Sequence, residues 1–130
     1  MSDDTQPRRV LLVGHCGPDA SYLRMAVRSA LGEAEMVSAD EMNEMNDALK
    51  AGVDLILLNR ELYGFEPETG VEMVRLLRKT YAQLPMMVVS NYPDVQVAAQ
   101  AAGAMAGFGK REIGSPRVTS LLRSAIGIKA

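Results

Sequence analysis

The sequence predicts a single three-layer α/β domain: five βα units, doubly wound around a parallel sheet of order 2-1-3-4-5. Short runs of consecutive apolar residues, at 10–13, 55–58 and 86–89, lie between turn signals. Such runs suit strands buried on both faces, which a parallel sheet provides. Each run is followed by a stretch in which apolar residues recur at helical spacing, marking helices with one buried face. Strict alternation of the two, joined by right-handed crossovers, gives a parallel sheet with helices on both sides.

The bulk properties agree. A chain of 130 residues is the size of one domain and can bury a real core. It is 48% hydrophobic and 23% charged, the composition of an ordinary globular protein. A net charge of −2 argues against nucleic acid as the partner, because phosphate binding wants clustered Lys and Arg. One cysteine rules out an internal disulfide and points to a reducing cytoplasm. No apolar run approaches the roughly 20 residues that cross a bilayer, so no membrane role is expected. The polar, acidic start is no secretory signal. Residues 1–7 are expected to form a disordered arm, and 8–130 the domain.

Taken in order, Val10-Leu11-Leu12-Val13 is the first strand. It ends in a loop containing Gly14, His15, Cys16 and Gly17. Pro18 suits the first helical turn and Asp19 its positive end. Leu23, Ala26, Val27, Ala30 and Leu31 form the buried stripe of the helix, which stops at Gly32. Met36-Val37 is the heart of a second strand. Ser38 with Glu41 has capping-box spacing, ahead of a helix carrying Met42, Met45 and Leu49. The third strand, Leu55-Ile56-Leu57-Leu58, ends on Asn59. A loop follows, then the capping pair Thr69 and Glu72 and a helix facing inward through Met73, Val74, Leu77 and Tyr81. The fourth strand, Met86-Met87-Val88-Val89, ends at Ser90. Pro93 opens a helix with Val95, Ala98, Ala99 and Ala102 inside, and Gly103 ends it. The fifth strand is placed around Ala106-Gly107-Phe108-Gly109, although glycine is a poor strand former, and it ends at Lys110. Ser115-Pro116 caps a last helix with Val118, Leu121, Leu122, Ala125 and Ile126 buried. Of the nine methionines, those at 36, 42, 45, 73, 86 and 87 are read as core filling.

In sheets of this flavodoxin-like order, function sits beyond the carboxyl ends of the strands, at the crevice between strands one and three. Four polar residues therefore converge on one rim: His15, Asn59, Ser90 and Lys110. Asn59 stands where chemistry is expected, yet a neutral amide mainly donates and accepts hydrogen bonds.

This arrangement resembles the receiver domain of bacterial response regulators over nearly the whole chain. The resemblance aligns the family's acidic pair with Gly14 and His15, its phosphoacceptor Asp with Asn59, its Ser/Thr with Ser90 and its Lys with Lys110. Ala102-Gly103-Ala104 matches the family's segment before strand five. The departures imply a degenerate receiver, or pseudo-receiver. In the family, the acids and the phosphoacceptor hold Mg²⁺, and the residue at the position of Glu61 supplies a backbone carbonyl. Gly14, His15 and Asn59 supply no carboxylate, so Mg²⁺ binding is expected to be lost or weak, with no other cofactor. The family's switch aromatic is replaced by Gly107, and Arg111-Glu112 follows the Lys where the family has Pro. The loop from 60 to 69 is longer than the family's usual one.

Asn59 is read as a hydrogen-bonding lock on the loops, with a tolerated relic as the alternative. Lys110 either binds a ligand phosphate or carboxylate, reaches solvent, or pairs with Glu61 or Asp19; Glu61 is singled out as the side chain that would neutralise it. His15 and Cys16 do not make a metal site, since Zn²⁺ takes three or four protein ligands. Cys16 is expected to be partly buried and unreactive, and His15 a hydrogen-bonded loop residue that could titrate near neutral pH. The loop from Gly14 to Gly17 lacks both dinucleotide and Walker fingerprints. Gly107, Arg111, Arg117 and Arg123 are candidates for a partner face, which the resemblance places on the last strand–helix unit.

The leading expectation is a phosphorylation-independent protein-interaction module in bacterial signalling. It is non-enzymatic and cytoplasmic, a monomer or weak homodimer, and its partner is a protein such as a histidine kinase or an output protein. The alternatives are a small-ligand sensor using the same rim and a receiver that responds to phosphate by an unusual route. An enzyme ranks third, because no nucleophile–base or carboxylate pair stands at the strand ends.

Overall fold

A computed structural model describes residues 7–127. The predicted arm thus falls, apart from Pro7, outside the described residues. The elements are β1 (Arg8–Val13), α1 (Gly17–Leu31), β2 (Ala34–Ala39), α2 (Met42–Ala51), β3 (Leu55–Asn59), α3 (Gly70–Thr80), β4 (Met86–Val89), α4 (Pro93–Ala102) and α5 (Pro116–Ala125), with a 3-10 turn at Lys110–Glu112 before the last. The strands are all parallel, in the order β2-β1-β3-β4. Among the described residues no helix is long and apolar enough to cross a membrane.

Consecutive residues of a strand point to opposite faces, so each apolar run feeds two cores at once. Leu11, Val13, Ile56, Leu58, Met86 and Val88 face α2, α3 and α4, where Met45, Leu49, Met73, Val74 and Leu77 meet them. Val10, Leu12, Leu55, Leu57, Met87 and Val89 face α1 and α5, against Leu23, Val27, Val118 and Leu122. Full burial of one such side chain is worth about 1.5–3 kcal/mol, so both faces of the central strands contribute to stability. The register pairs Val13 with Leu58 and Asn59 with Val89, which brings the ends of β1, β3 and β4 to one rim.

The predicted fifth strand is reduced to a single parallel bridge, Val89 with Phe108. Ser90 N–H donates to the Phe108 carbonyl at 2.9 Å, and Met105 N–H to the Met86 carbonyl at 2.8 Å. Between them the ladder is interrupted: the Gly107 N–H donates to the side chain of Gln96 at 3.0 Å rather than to β4. Two glycines flanking Phe108 supply no side chain to hold an extended run in register. Phe108 itself is buried in the α1/α5 core. The order 2-1-3-4 therefore stands as predicted, and the fifth position is filled by an irregular segment.

Two predicted caps hold: Thr69 Oγ1 accepts from Glu72 N–H at 3.2 Å, and Ser115 Oγ from Val118 N–H at 3.4 Å. The predicted Ser38–Glu41 box does not form, because β2 runs on to Ala39 and keeps Ser38 extended. Glu41 takes over as N-cap of α2, accepting from Asn43 N–H at 3.1 Å. The loop after β3 is folded upon itself by buried Leu62 and Phe65 and by an antiparallel bridge between Glu61 and Thr69.

Candidate functional site

A cavity of about 230 Å³ opens at the rim, lined by Asn59, Arg60, Glu61, Ser90, Asn91, Tyr92 and Lys110 among others. Four of the predicted pocket residues, Asn59, Glu61, Ser90 and Lys110, thus come together. Gly14 and His15 do not line it.

Asn59 closes β3, and its side chain is turned across the crevice. Nδ2 lies 3.1 Å from the Gly14 carbonyl oxygen and 3.1 Å from the Glu61 carbonyl oxygen. Both partners can only accept, so the group between them must be the donating NH₂, and its two protons serve two loops. A carboxylate in this position would have nothing to donate. Gly14, with φ +74°, adopts a conformation side chains rarely tolerate. A Cβ there would also stand 2.5 Å from Leu62 Cδ2, whose fully buried side chain fills the space above it. Leu62 was not singled out from the sequence; two apolar residues, Leu62 and Phe65, three apart in a loop rich in charge are the signal that could have found it.

His15 is buried at 8% exposure. Its Nε2 lies 2.8 Å from the Leu57 carbonyl oxygen. Because a carbonyl only accepts, Nε2 carries the proton of this contact. Nδ1 is buried with no hydrogen-bond partner. Burial holds the His15 pKa below its ordinary value; the Leu57 contact opposes this, the Lys110 charge adds to it, and Asp19 opposes it. His15 is thus a hydrogen-bonded loop residue as expected, and charging its ring would leave a second N–H without a partner at Nδ1.

Lys110 Nζ meets Asp19 Oδ2 at 2.5 Å. The hydrogen bond from Lys110 holds the Asp19 carboxyl below the usual range, against a smaller opposing effect of burial and with help from the Cys16 thiol. Glu61, the partner singled out from the sequence, is engaged elsewhere: it pairs with Arg60 at 2.9 Å and accepts from Tyr63 Oη at 2.6 Å. The first turn of α1 reaches Lys110 where the β3–α3 loop, folded away by Leu62 and Phe65, does not. Cys16, expected to be partly buried, is exposed because it is the N-cap residue of α1 on the rim.

The charged wall opposite is built by Arg60, whose guanidinium lies 5.0 Å from the centroid of the Tyr92 ring. Ser90 Oγ accepts from Tyr92 N–H at 3.1 Å, and Asn91 Oδ1 from Arg111 N–H at 3.1 Å, so these side chains order the loops around the cavity. Of the predicted partner-face residues, Arg111 and Arg117 are exposed. Arg117 is paired with Glu112 at 2.6 Å. Arg123 is half-buried and donates to the Ala30 carbonyl at 2.9 Å, tying α5 to α1. Gly107 is buried and presents no surface of its own.

No family model matches the chain. No curated protein matches it by sequence. Solved structures do match. NtrX from Brucella abortus is 21% identical with a TM-score of 0.73, over 93% of this chain and 27% of that one. This chain therefore spans about a quarter of that NtrX structure. The NtrX receiver domain alone gives 20% identity and a TM-score of 0.71, over 91% of this chain and 97% of that one. The signal receiver domain of a DNA-binding response regulator from Colwellia psychrerythraea 34H gives 16% and 0.75, over 92% and 98%. The chain has the fold of response-regulator receiver domains.

Proposed function

We propose that this chain is a degenerate receiver that acts in signal transduction as a protein-interaction module without phosphorylation at Asn59. The observation that carries the reading is the Asn59 amide, which donates to the Gly14 and Glu61 carbonyls at 3.1 Å each. An amide is no phosphoacceptor. One of its two N–H groups also occupies the Glu61 carbonyl, the group that the resemblance would assign to a metal. The donor set does not fit a hard divalent cation, which wants several oxygen ligands and usually carboxylates. Gly14 and Asn59 offer no carboxylate, and His15 turns its protonated nitrogen to Leu57. Among the described residues no group of three or more His, Cys, Asp or Glu could hold a metal ion. Lys110, the cation that would meet a phosphoryl group, is neutralised by Asp19.

The module is non-enzymatic and cytoplasmic, and it works by presenting a folded surface to a protein of a bacterial signalling pathway, such as a histidine kinase or an output protein. Intact mass after incubation with acetyl phosphate and Mg²⁺ tests the reading, with Asn59→Asp in parallel. Unchanged mass of the wild-type chain is the expected result, and a phosphoryl adduct on it overturns the proposal. The Asn59→Asp variant is expected to stay unmodified too, because Leu62 still fills the space beside Gly14; an adduct on the variant would mean that only the acceptor is missing.

A further inference from the structure

We infer that Gln96 is a positioning residue that fixes α4 on the sheet, replacing the hydrogen bonds that a fifth strand would make. Buried backbone groups need partners, and an interrupted ladder leaves some without. At the interruption beside β4, the Gln96 side chain enters from α4. Its Nε2 donates to the Val88 carbonyl at 2.8 Å and the Ser90 carbonyl at 3.2 Å. Its Oε1 accepts from the Gly107 N–H at 3.0 Å. Two accepting carbonyls and one donating N–H fix the orientation of the amide without ambiguity.

The residue at 107 is matched to this. A Cβ on Gly107 would overlap the Val88 carbonyl oxygen and lie 2.9 Å from Gln96 Oε1. A side chain at 107 and the Gln96 bridge therefore exclude one another. The bridge also answers a deficit of α4. Only Ala99 of this helix is buried, whereas α1 buries five residues and α3 four. Apolar packing holds α4 weakly, and three hydrogen bonds near its middle make up the difference. The consequence for function rests on the reading above: the exposed side of α4, with Tyr92 and Val97, is presented in one position and needs no chemical trigger.

Amide hydrogen exchange of the full chain, read residue by residue by NMR as protection factors, tests the inference without partner or phosphodonor. In the wild type the Gly107 amide is expected to be protected as strongly as the amides of β4; an unprotected Gly107 overturns the inference. Gln96→Met keeps the side chain's length and removes its hydrogen bonds. It is expected to lower protection at Gly107 and along α4 at least about tenfold while α1 is unchanged; unchanged protection would reduce Gln96 to a space filler and overturn the inference. Gln96→Glu adds a second readout. Its carboxylate has no proton to give Val88 and Ser90, so protection of α4 should be low at neutral pH and recover as the carboxyl protonates; a pH-independent result overturns the inference. A phosphoryl adduct on the wild type with Gly107 still protected would sink the proposed function and leave the bridge standing, and the reverse pair of results would do the opposite.

Discussion

The two halves of the rim are built on opposite principles. At the ends of β1 and β3, Gly14, His15, Asn59 and Leu62 make a neutral closure in which each N–H of the Asn59 amide has a carbonyl and Leu62 fills the space beside Gly14. At the end of β4 and around Lys110, the cavity is open, and its charges sit in exposed pairs: Lys110 with Asp19, Arg60 with Glu61 and the Tyr92 ring. The first half is rigid by packing and hydrogen bonding; the second is a solvated surface whose pairs are screened. Neutral hydrogen bonds thus close one half of the rim, while the neighbouring surface stays polar and available.

Substitutions should separate the halves by size of effect. Gly14→Ala should be the most damaging, costing about 2–4 kcal/mol, because it adds strain at positive φ to overpacking against Leu62. Urea denaturation measures this, and a loss below about 1 kcal/mol would mean the closure has room to give. Asn59→Asp should follow at about 2 kcal/mol at neutral pH, since two donated bonds are lost and a carboxylate faces two carbonyls. Part of the loss should be recovered in acid, when the carboxyl regains a proton to donate; equal losses at both pH values would argue against the bridging role.

His15 supplies a pH signature of the closed half. Its folded pKa is lowered, so the neutral ring stabilises the fold fully above the unfolded value of about 6.5. That contribution is lost as pH falls from about 6.5 toward the folded pKa, where the unfolded chain takes up a proton that the fold resists. Denaturation midpoints at pH 7.5 and 5.5, compared with His15→Gln, should show a larger acid loss in the wild type. Parallel losses would place the titration elsewhere. Asp19, whose pKa is also lowered, matters only in a separate and more acidic window.

The smallest effect belongs to the open half. Lys110→Met breaks a pair whose side chains are 39% and 26% exposed, so the cost should stay within about 1 kcal/mol and fade at high salt. The substitution should also raise the His15 pKa, because the Lys110 charge is one of the influences lowering it. A histidine titration followed by NMR that shows no upward movement would mean the two halves are electrostatically separate.

What could be read from the sequence divides along the same line. Strand and helix placement depended on local periodicity, and the short apolar runs of β1, β3 and β4, bounded by turn signals, marked the buried strands. The fold rule then brought Asn59, Ser90 and Lys110 to one rim. The partner of Lys110 was a harder matter: Glu61 is close to Asn59 in sequence, but Leu62 and Phe65 fold the loop down and hand Glu61 to Arg60 and Tyr63. Gln96 and Leu62 escaped notice because their roles depend on glycines distant in sequence, Gly107 and Gly14, and no local pattern reports such a match. The weak fifth strand was foreshadowed by its glycines, whereas its replacement by a side-chain amide was not.

The Asn59 amide, rather than a cation, bridges the Gly14 and Glu61 carbonyls. An NMR titration of the full chain with Mg²⁺ tests this directly, following the backbone amides of Gly14, Asn59 and Glu61 and the side-chain NH₂ of Asn59. These resonances should stay in place through millimolar Mg²⁺, with any small drifts spread over surface carboxylates. Saturable shifts converging on Gly14, Asn59 and Glu61 would contradict it.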